Sequence, residues 1–233
     1  MKTLNRVQQS CKELSLLALA LIILMPPPAK AQADSEQKKE YQIKAAFLHN
    51  FIKFVDWPEE KTGDSNEPII IGIIGKDPFG KAFDPVKDKL VKGKKITIKQ
   101  LGEFEELKKL AQKEKTKWNQ KVNALRKCHV LFICTTEKKH VPEIINLVKN
   151  HNVMTVGDMK EFLESGGIIN LVIEERKICF EVNVAVAKKE KLKIRSQLLR
   201  LAKRVIDKKV SGENQGKSQM QEAVHGFYAK NDN

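Results

Sequence analysis

The sequence predicts an α/β fold: a single three-layer domain whose mostly parallel sheet is flanked by helices and carries an antiparallel hairpin at one edge. Three observations predict it. Short, wholly apolar runs at residues 68–75 and 128–135 read as strands buried on both faces, as in parallel sheets. Stretches of helical periodicity alternate with such runs along the chain. Two further apolar runs, 168–173 and 177–182, lie close enough around Glu174-Glu175-Arg176 to pair as a hairpin.

Residues 1–31 read as a cleavable export signal. Lys2, Arg6 and Lys12 precede an apolar run, 14–25, broken only by Ser15. Pro26, Pro27 and Pro28 then stop any helix, and Ala29 and Ala31 flank Lys30 in a small-x-small pattern. Cleavage is expected after Ala31, with Ala33 the second choice. The run falls short of the roughly 20 apolar residues that a spanning helix needs. Cys11 lies before the apolar run, so it cannot be the lipid-bearing first residue of a mature lipoprotein.

Residues 32–40 are polar and read as a flexible lead-in. Residues 41–55 read as a helix with Ile43, Phe47, Phe51 and Phe54 on one stripe and Leu48, Ile52 and Val55 beside it. Asp56-Trp57-Pro58 ends it, because the residue before proline is pushed out of the helical region. A polar loop, 59–67, leads to the first buried strand, and a short helix is expected near Phe79. Residues 94–101 alternate and read as a strand; 103–126 hold a lysine-rich helix, split near residues 117–120. After the strand at 128–135 come a helix at 138–149, with Pro142 in its first turn, and a short strand at 153–156. One helical turn at 159–164 stops at Gly166-Gly167. The hairpin is followed by a short helix at 184–188 and a basic amphipathic helix within 192–206, its apolar side built from Leu198, Leu199, Leu201, Ala202 and Val205. Residues 208–233 are polar and short of core formers, which predicts a disordered tail.

The chain has 233 residues, with 43 Lys and Arg against 29 Asp and Glu, a net +14. Removing residues 1–31 leaves a chain of roughly 200 residues, enough for one domain with a real core, and a net charge of about +11. Much of that charge is lysine spread along helices, the pattern of a solvated face. Export argues against a nucleic-acid partner.

Three cysteines follow the signal: Cys128, Cys134 and Cys179. Cys128 and Cys134 lie in one predicted strand, about 20 Å apart at roughly 3.3 Å per residue, beyond the reach of a disulfide. Cys179 could pair with one of them in an oxidising compartment, yet all three sit among apolar neighbours, which favours three buried thiols and assures no disulfide. Cys128, His129, Cys134 and His140 lack the paired spacing of a structural zinc site, so no metal or other cofactor is implied.

The frame Gly75-Lys-Asp-Pro-Phe-Gly80-Lys81-Ala82 imitates a phosphate loop. Ala82 stands where the magnesium-binding hydroxyl belongs, and Pro78 removes one N–H from the cradle, so a tight turn explains the residues more simply. Ser165 and Ser196 have no nucleophile-elbow context, and His129 reads as a packed core residue. Asp77 and Asp158 read first as turn formers. No convergent acid, base or nucleophile is visible, which argues against an enzyme.

Seven blocks, in order, carry a family resemblance. Tyr41-Gln-Ile-Lys-Ala-Ala-Phe-Leu-His-Asn-Phe-Ile-Lys-Phe-Val-Asp-Trp-Pro58 opens the series, and Ile71-Gly-Ile-Ile-Gly-Lys-Asp-Pro-Phe-Gly80 follows. Cys128-His-Val-Leu-Phe-Ile133, Thr155-Val-Gly-Asp158, Gly166-Gly-Ile-Ile-Asn170, Phe180-Glu-Val-Asn183 and Ser196-Gln-Leu-Leu-Arg-Leu-Ala202 complete it. Residues 41–205 resemble the YfiR-like periplasmic proteins, so a domain at 41–207 is expected. The resemblance implies a non-catalytic periplasmic regulator. Its best-known members bind the periplasmic part of an inner-membrane diguanylate cyclase and hold it inactive. An outer-membrane lipoprotein can remove the repressor, which raises cyclic di-GMP and favours biofilm. Members are also associated with homodimers. The lysine-rich stretch 108–127 looks longer than usual in the family, and the tail after Lys208 is extra.

On this reading Phe47, Phe51, Phe54, Glu181, Asn183 and Arg195 are candidate partner-facing residues, although an aromatic stripe more often faces the core. The alternative is a periplasmic small-molecule sensor that uses the crevice at the carboxyl ends of the strands. Gly75, Asp77, Gly80, Thr135 and Asp158 would line that crevice.

Overall fold

In a computed structural model of the chain, residues 29–63, 67–86 and 88–207 are described. The apolar run 14–25, read as part of an export signal, and the tail expected at 208–233 lie outside them. The elements in chain order are α1 (Ala29–Phe54), β1 (Val55–Asp56), α2 (Glu59–Thr62), β2 (Ile69–Ile74), β3 (Ile96–Gln100), α3 (Phe104–Lys113) and α4 (Lys115–Lys127). They continue with β4 (Val130–Ile133), a 3₁₀ helix (Thr135–His140), α5 (Val141–Val148), β5 (Met154–Gly157), β6 (Ile169–Glu174) and β7 (Lys177–Asn183). The last are α6 (Val184–Lys189), β8 (Lys193–Ile194), α7 (Ser196–Leu199) and β9 (Arg204–Ile206).

Seven strands form one sheet in the order β3-β2-β4-β5-β6-β7-β9. β3, β2, β4, β5 and β6 are mutually parallel, and β6 and β7 form the antiparallel hairpin. Glu175 and Arg176 turn that hairpin, both in the left-handed region (φ 46° and 63°), which matches the strands' own twist. β1 and β8 make a separate antiparallel pair.

Alternation along the strands explains why they are apolar throughout. Ile69, Ile71 and Ile73 of β2, Val130 and Phe132 of β4, and Met154 and Val156 of β5 face one core with α1. Their neighbours Ile74, Leu131 and Ile133 face a second core with α3, α4 and α5. The central strands β2, β4 and β5 therefore hide both faces, and the domain has the expected three layers. In the second core the Phe162 ring lies against bare backbone. A Cβ added at Gly157 or Gly167 would stand 2.6 or 2.2 Å from its ring atoms.

Several elements differ from the sequence expectation. α1 begins at Ala29, so helix runs through the polar residues 32–40. Its buried apolar face is Ala45, Leu48, Phe51 and Ile52, while Ile43 is 48% exposed; the inward face is thus rotated from the anticipated stripe. No helix forms at Phe79. Instead the amides of Ala82, Asp84 and Val86 donate to the carbonyls of Phe79, Lys81 and Phe83 in successive three-residue turns. Pro78, Pro85 and a left-handed Gly80 (φ 50°) prevent helical continuation. The lysine-rich helix breaks at Glu114 (φ −142°, ψ 71°), ahead of the anticipated 117–120. Residues 159–164 are turns rather than a helical segment.

The largest correction concerns residues 192–206. In place of one amphipathic helix, this stretch folds as β8, α7 and β9. Val55 pairs with Ile194 and Val182 with Val205. Leu201 and Val205 are 70% and 43% exposed, so they do not form the buried side of a helix. β9 also places a parallel strand outside the hairpin.

Candidate functional site

At the carboxyl edge of the sheet, β2, β4 and β5 end side by side at Ile74, Ile133 and Gly157. Gly75, Thr135 and Asp158 follow them and converge as the parallel strands require. Asp158 is the hub. Its side chain is 3% exposed and accepts from Lys44 Nζ at 2.6 Å, Tyr41 O–H at 3.1 Å and Thr135 Oγ1 at 2.8 Å. Lys44 Nζ also meets Glu40 at 2.5 Å and sits 4.3 Å from the Tyr41 ring centroid. Burial, then the Asp158 charge, push the Tyr41 hydroxyl well above the usual tyrosine range.

The crevice is therefore filled by α1. Tyr41 packs edge-on against Phe79 at 5.1 Å, and Phe79 against Phe132 at 4.8 Å. Gly75 (φ 103°) lets the chain pass Thr136 and Cys134, where an added Cβ would come within 2.7 and 2.9 Å. Asp77 is a turn former: its Oδ1 accepts the Phe79 N–H at 2.8 Å and its Oδ2 accepts from Gln100 at 2.6 Å. Gly80 lies in open space, away from Asp158's partners. The Phe79 and Ala82 amides are used inside these turns, so the loop forms no phosphate cradle.

The candidate partner-facing residues separate into buried and surface groups. Phe51 is fully buried, 5.1 Å from Phe180 and 5.7 Å from Phe47. Phe47 and Phe54 are half-buried against the same core. Asn183 is 3% exposed, and its Oδ1 accepts the Val186 N–H at 3.0 Å to cap α6. Glu181 follows Phe180 along β7 and so points to the opposite face, where it binds Arg204 through two contacts of 2.9 Å. Arg195 grips Asp56 at 3.0 and 2.9 Å, and its N–H donates to the Phe54 carbonyl at 2.9 Å. The structure thus joins Phe54 to Arg195 and keeps Glu181 apart from both.

Sequence reasoning missed Lys44 and Asp56. Asp56 sits between Arg195 and Lys92, the latter at 2.7 Å. The Arg195 hydrogen bond, with Lys92 behind it, holds the carboxyl down at about 2. Lys44 and Asp158 are 114 residues apart, and nothing in local spacing marks such a pair. The thiols of Cys128, Cys134 and Cys179 are free. Burial pushes Cys128 up to about 11 and Cys134 higher still, which makes both poor nucleophiles. No group of three or more potential metal ligands occurs among the described residues.

No helix among the described residues is long and apolar enough to cross a membrane. No curated protein of known function is similar to the chain at a significant level. Among solved structures, one likeness is a conserved domain protein from Vibrio cholerae, with 13% identity, a TM-score of 0.40 and coverage of 58% of this chain and 54% of that one. Another is an ABC domain in complex with L-Trp from Streptococcus pneumonia, with 12% identity, a TM-score of 0.42 and coverage of 59% and 55%. The chain spans little more than half the length of either. The YfiR/HmsC-like family model, in contrast, matches residues 41–203, from Tyr41 at the carboxyl-edge cluster to the residue before β9, and the chain belongs to that family.

Proposed function

We propose that the chain is a non-enzymatic periplasmic regulator. It binds and represses the periplasmic part of an inner-membrane signalling protein, a diguanylate cyclase, and so controls cyclic di-GMP and biofilm. The observation that carries this reading is family membership across residues 41–203, which span nearly all of the folded domain. The export signal read in residues 1–31 supports the compartment. An outer-membrane lipoprotein that relieves repression, and a homodimer, belong to the same reading.

The geometry favours contact over chemistry. The polar groups at the carboxyl edge are spent on one another, with Lys44 and Asp158 both nearly inaccessible. Apolar side chains instead emerge around the last strands of the sheet: Ile173 on β6 is 58% exposed, and Leu201, in the turn ahead of β9, is 70% exposed. Val205 is 43% exposed on β9, an outermost strand of the sheet among the described residues, whose edge offers backbone groups to a partner. Arg195, exposed on the rim of the β1–β8 pair, supplies a charge.

A photo-crosslinking amino acid placed at Leu201 or Val205 should capture an inner-membrane protein with a cyclase domain. One placed at Lys121, on the far helical layer, should not. Equal capture from all three positions, or none from Leu201 and Val205 in a strain with normal repression, would remove this surface as the docking face.

A further inference from the structure

The opposite end of the sheet holds a cavity of about 180 Å³ at the amino ends of β2 and β4. Trp57, Ile69 and His129 line its inner part, and Asp56, Lys92 and Lys94 its mouth. It far exceeds the roughly 10–15 Å³ that one water needs. The wall bearing Lys92 is a two-residue turn, Lys92-Gly93 (φ 54° and 76°), closed by reciprocal Val91–Lys94 bonds of 2.9 and 3.0 Å.

Two buried hydrogen-bonding groups beside this space have no partner among the described residues: Trp57 Nε1 and His129 Nε2. Trp57 is 9% exposed and His129 6%, with their rings edge-to-face at 5.9 Å. Indole N–H is a donor only. His129 Nδ1 accepts the Ile70 N–H at 3.1 Å, so the neutral ring carries its proton on Nε2. Burial keeps that ring neutral, lowering it to about 4. The Lys61 carbonyl pulls the other way, yet no described atom stands in hydrogen-bond geometry with Nε2. Folded proteins leave few buried donors unsatisfied, and those that persist call for an explanation such as an absent ligand.

The charge at the mouth fixes the sign of that ligand. Lys92 Nζ bonds Asp56 Oδ1 at 2.7 Å and lies 5.7 Å from the Trp57 ring centroid. Asp56 is shared with Arg195, so two cations surround one carboxylate. A cationic ligand would meet two N–H donors and an aspartate already engaged. An oxyanion would satisfy both donors and lie near Lys92.

We propose that this cavity binds the carboxylate or phosphate end of a small molecule, held by the Trp57 and His129 N–H groups with Lys92 as counter-ion. The site lies at the opposite end of the sheet from the carboxyl-edge crevice.

The two indole N–H resonances, Trp57 and Trp118, give a direct test in the full chain. Sodium phosphate and sodium acetate are titrated separately at fixed ionic strength, with sodium chloride as the reference. The expected result is a saturable downfield shift of Trp57 alone with at least one of the two oxyanions; which one saturates distinguishes the two chemistries. Lys92→Met, at an exposed turn, should weaken that binding at least tenfold with the fold intact. Trp57→Phe should abolish anion-dependent thermal stabilisation. No saturation with either anion, a Trp57 shift that matches Trp118, or unchanged affinity in Lys92→Met would overturn the proposal.

Discussion

Lys44 and Asp158 form a buried ion pair, 2.6 Å long, that ties α1 to the loop after β5. Both side chains are at most 4% exposed, and Tyr41 and Thr135 satisfy further acceptor positions on the carboxylate. Breaking a buried pair typically costs about 3–5 kcal/mol; Lys44 keeps the half-buried Glu40 as a second counter-ion, which places the loss of Asp158 at the lower end. Asp158→Asn should therefore lower unfolding free energy by an amount in that range. The double variant Lys44→Met/Asp158→Asn should recover part of the loss, as measured by urea denaturation. A loss below about 1 kcal/mol would mean that the pair is solvated.

Asn183 caps α6 from within the core. Asn183→Ala removes the Oδ1 acceptor for the Val186 N–H and should cost about 1–2 kcal/mol of stability. Crosslinking to a membrane partner should persist at temperatures well below the lowered melting point. Loss of capture from a fully folded variant would return Asn183 to the partner surface.

Asp56 sets an acid-sensitive contribution. Its carboxyl is lowered from 3.8 to about 2 in the folded chain, first by the Arg195 hydrogen bond. The unfolded chain therefore takes up this proton first as pH falls. The stabilisation is complete above the unfolded value and is lost as pH drops from about 5 to 2. The stability gap between the wild type and Asp56→Asn should close across that window. The carboxylate is 36% exposed, so screening keeps the gap small and salt should narrow it.

His129 acts in a different window. It is lowered from 6.5 to about 4 by burial. Between those values the unfolded chain binds a proton that the folded chain refuses, so stability falls as pH falls from 6.5 to 4. His129→Gln should flatten that slope by an amount on the order of 2–3 kcal/mol across the window. His49 and His151 shift the same way, so the comparison is the difference between wild type and variant. Parallel curves would show that His129 is accessible to protons in the folded state.

Much of the sheet was legible because burial on both faces leaves a compositional mark. The runs at Ile69–Ile74 and Val130–Ile133 have no polar face to hide. The hairpin was legible because its strands are adjacent in sequence. Residues 192–206 misled because their apolar spacing fits a helical period, while their structure is decided by distant partners. Ile194 needs Val55, and Val205 needs Val182; period alone carries no trace of either. The inward face of α1 was misjudged for a related reason. Ile43 has the spacing of a core residue but is 48% exposed and outside the core that α1 shares with the sheet.

The candidate sites were less legible than the fold. Asp158 was recognisable only as a turn residue, since its partners Tyr41 and Lys44 lie 117 and 114 positions away. Arg195 was singled out, yet its bond to Asp56 depends on the β1–β8 pairing. Trp57 and His129 were visible as a helix-ending residue and a core histidine. That their free nitrogens flank one cavity is a property of the folded backbone alone.

Cyclic di-GMP measured in living cells tests the regulatory account most directly. Cells that lack the chain should hold several-fold more cyclic di-GMP than the parent. Re-expression of the exported chain should restore the parental level, and Leu201→Asp/Val205→Asp should fail to restore it while remaining folded and exported. An unchanged cyclic di-GMP level in cells without the chain, under conditions where the parent makes and exports it, would contradict the account.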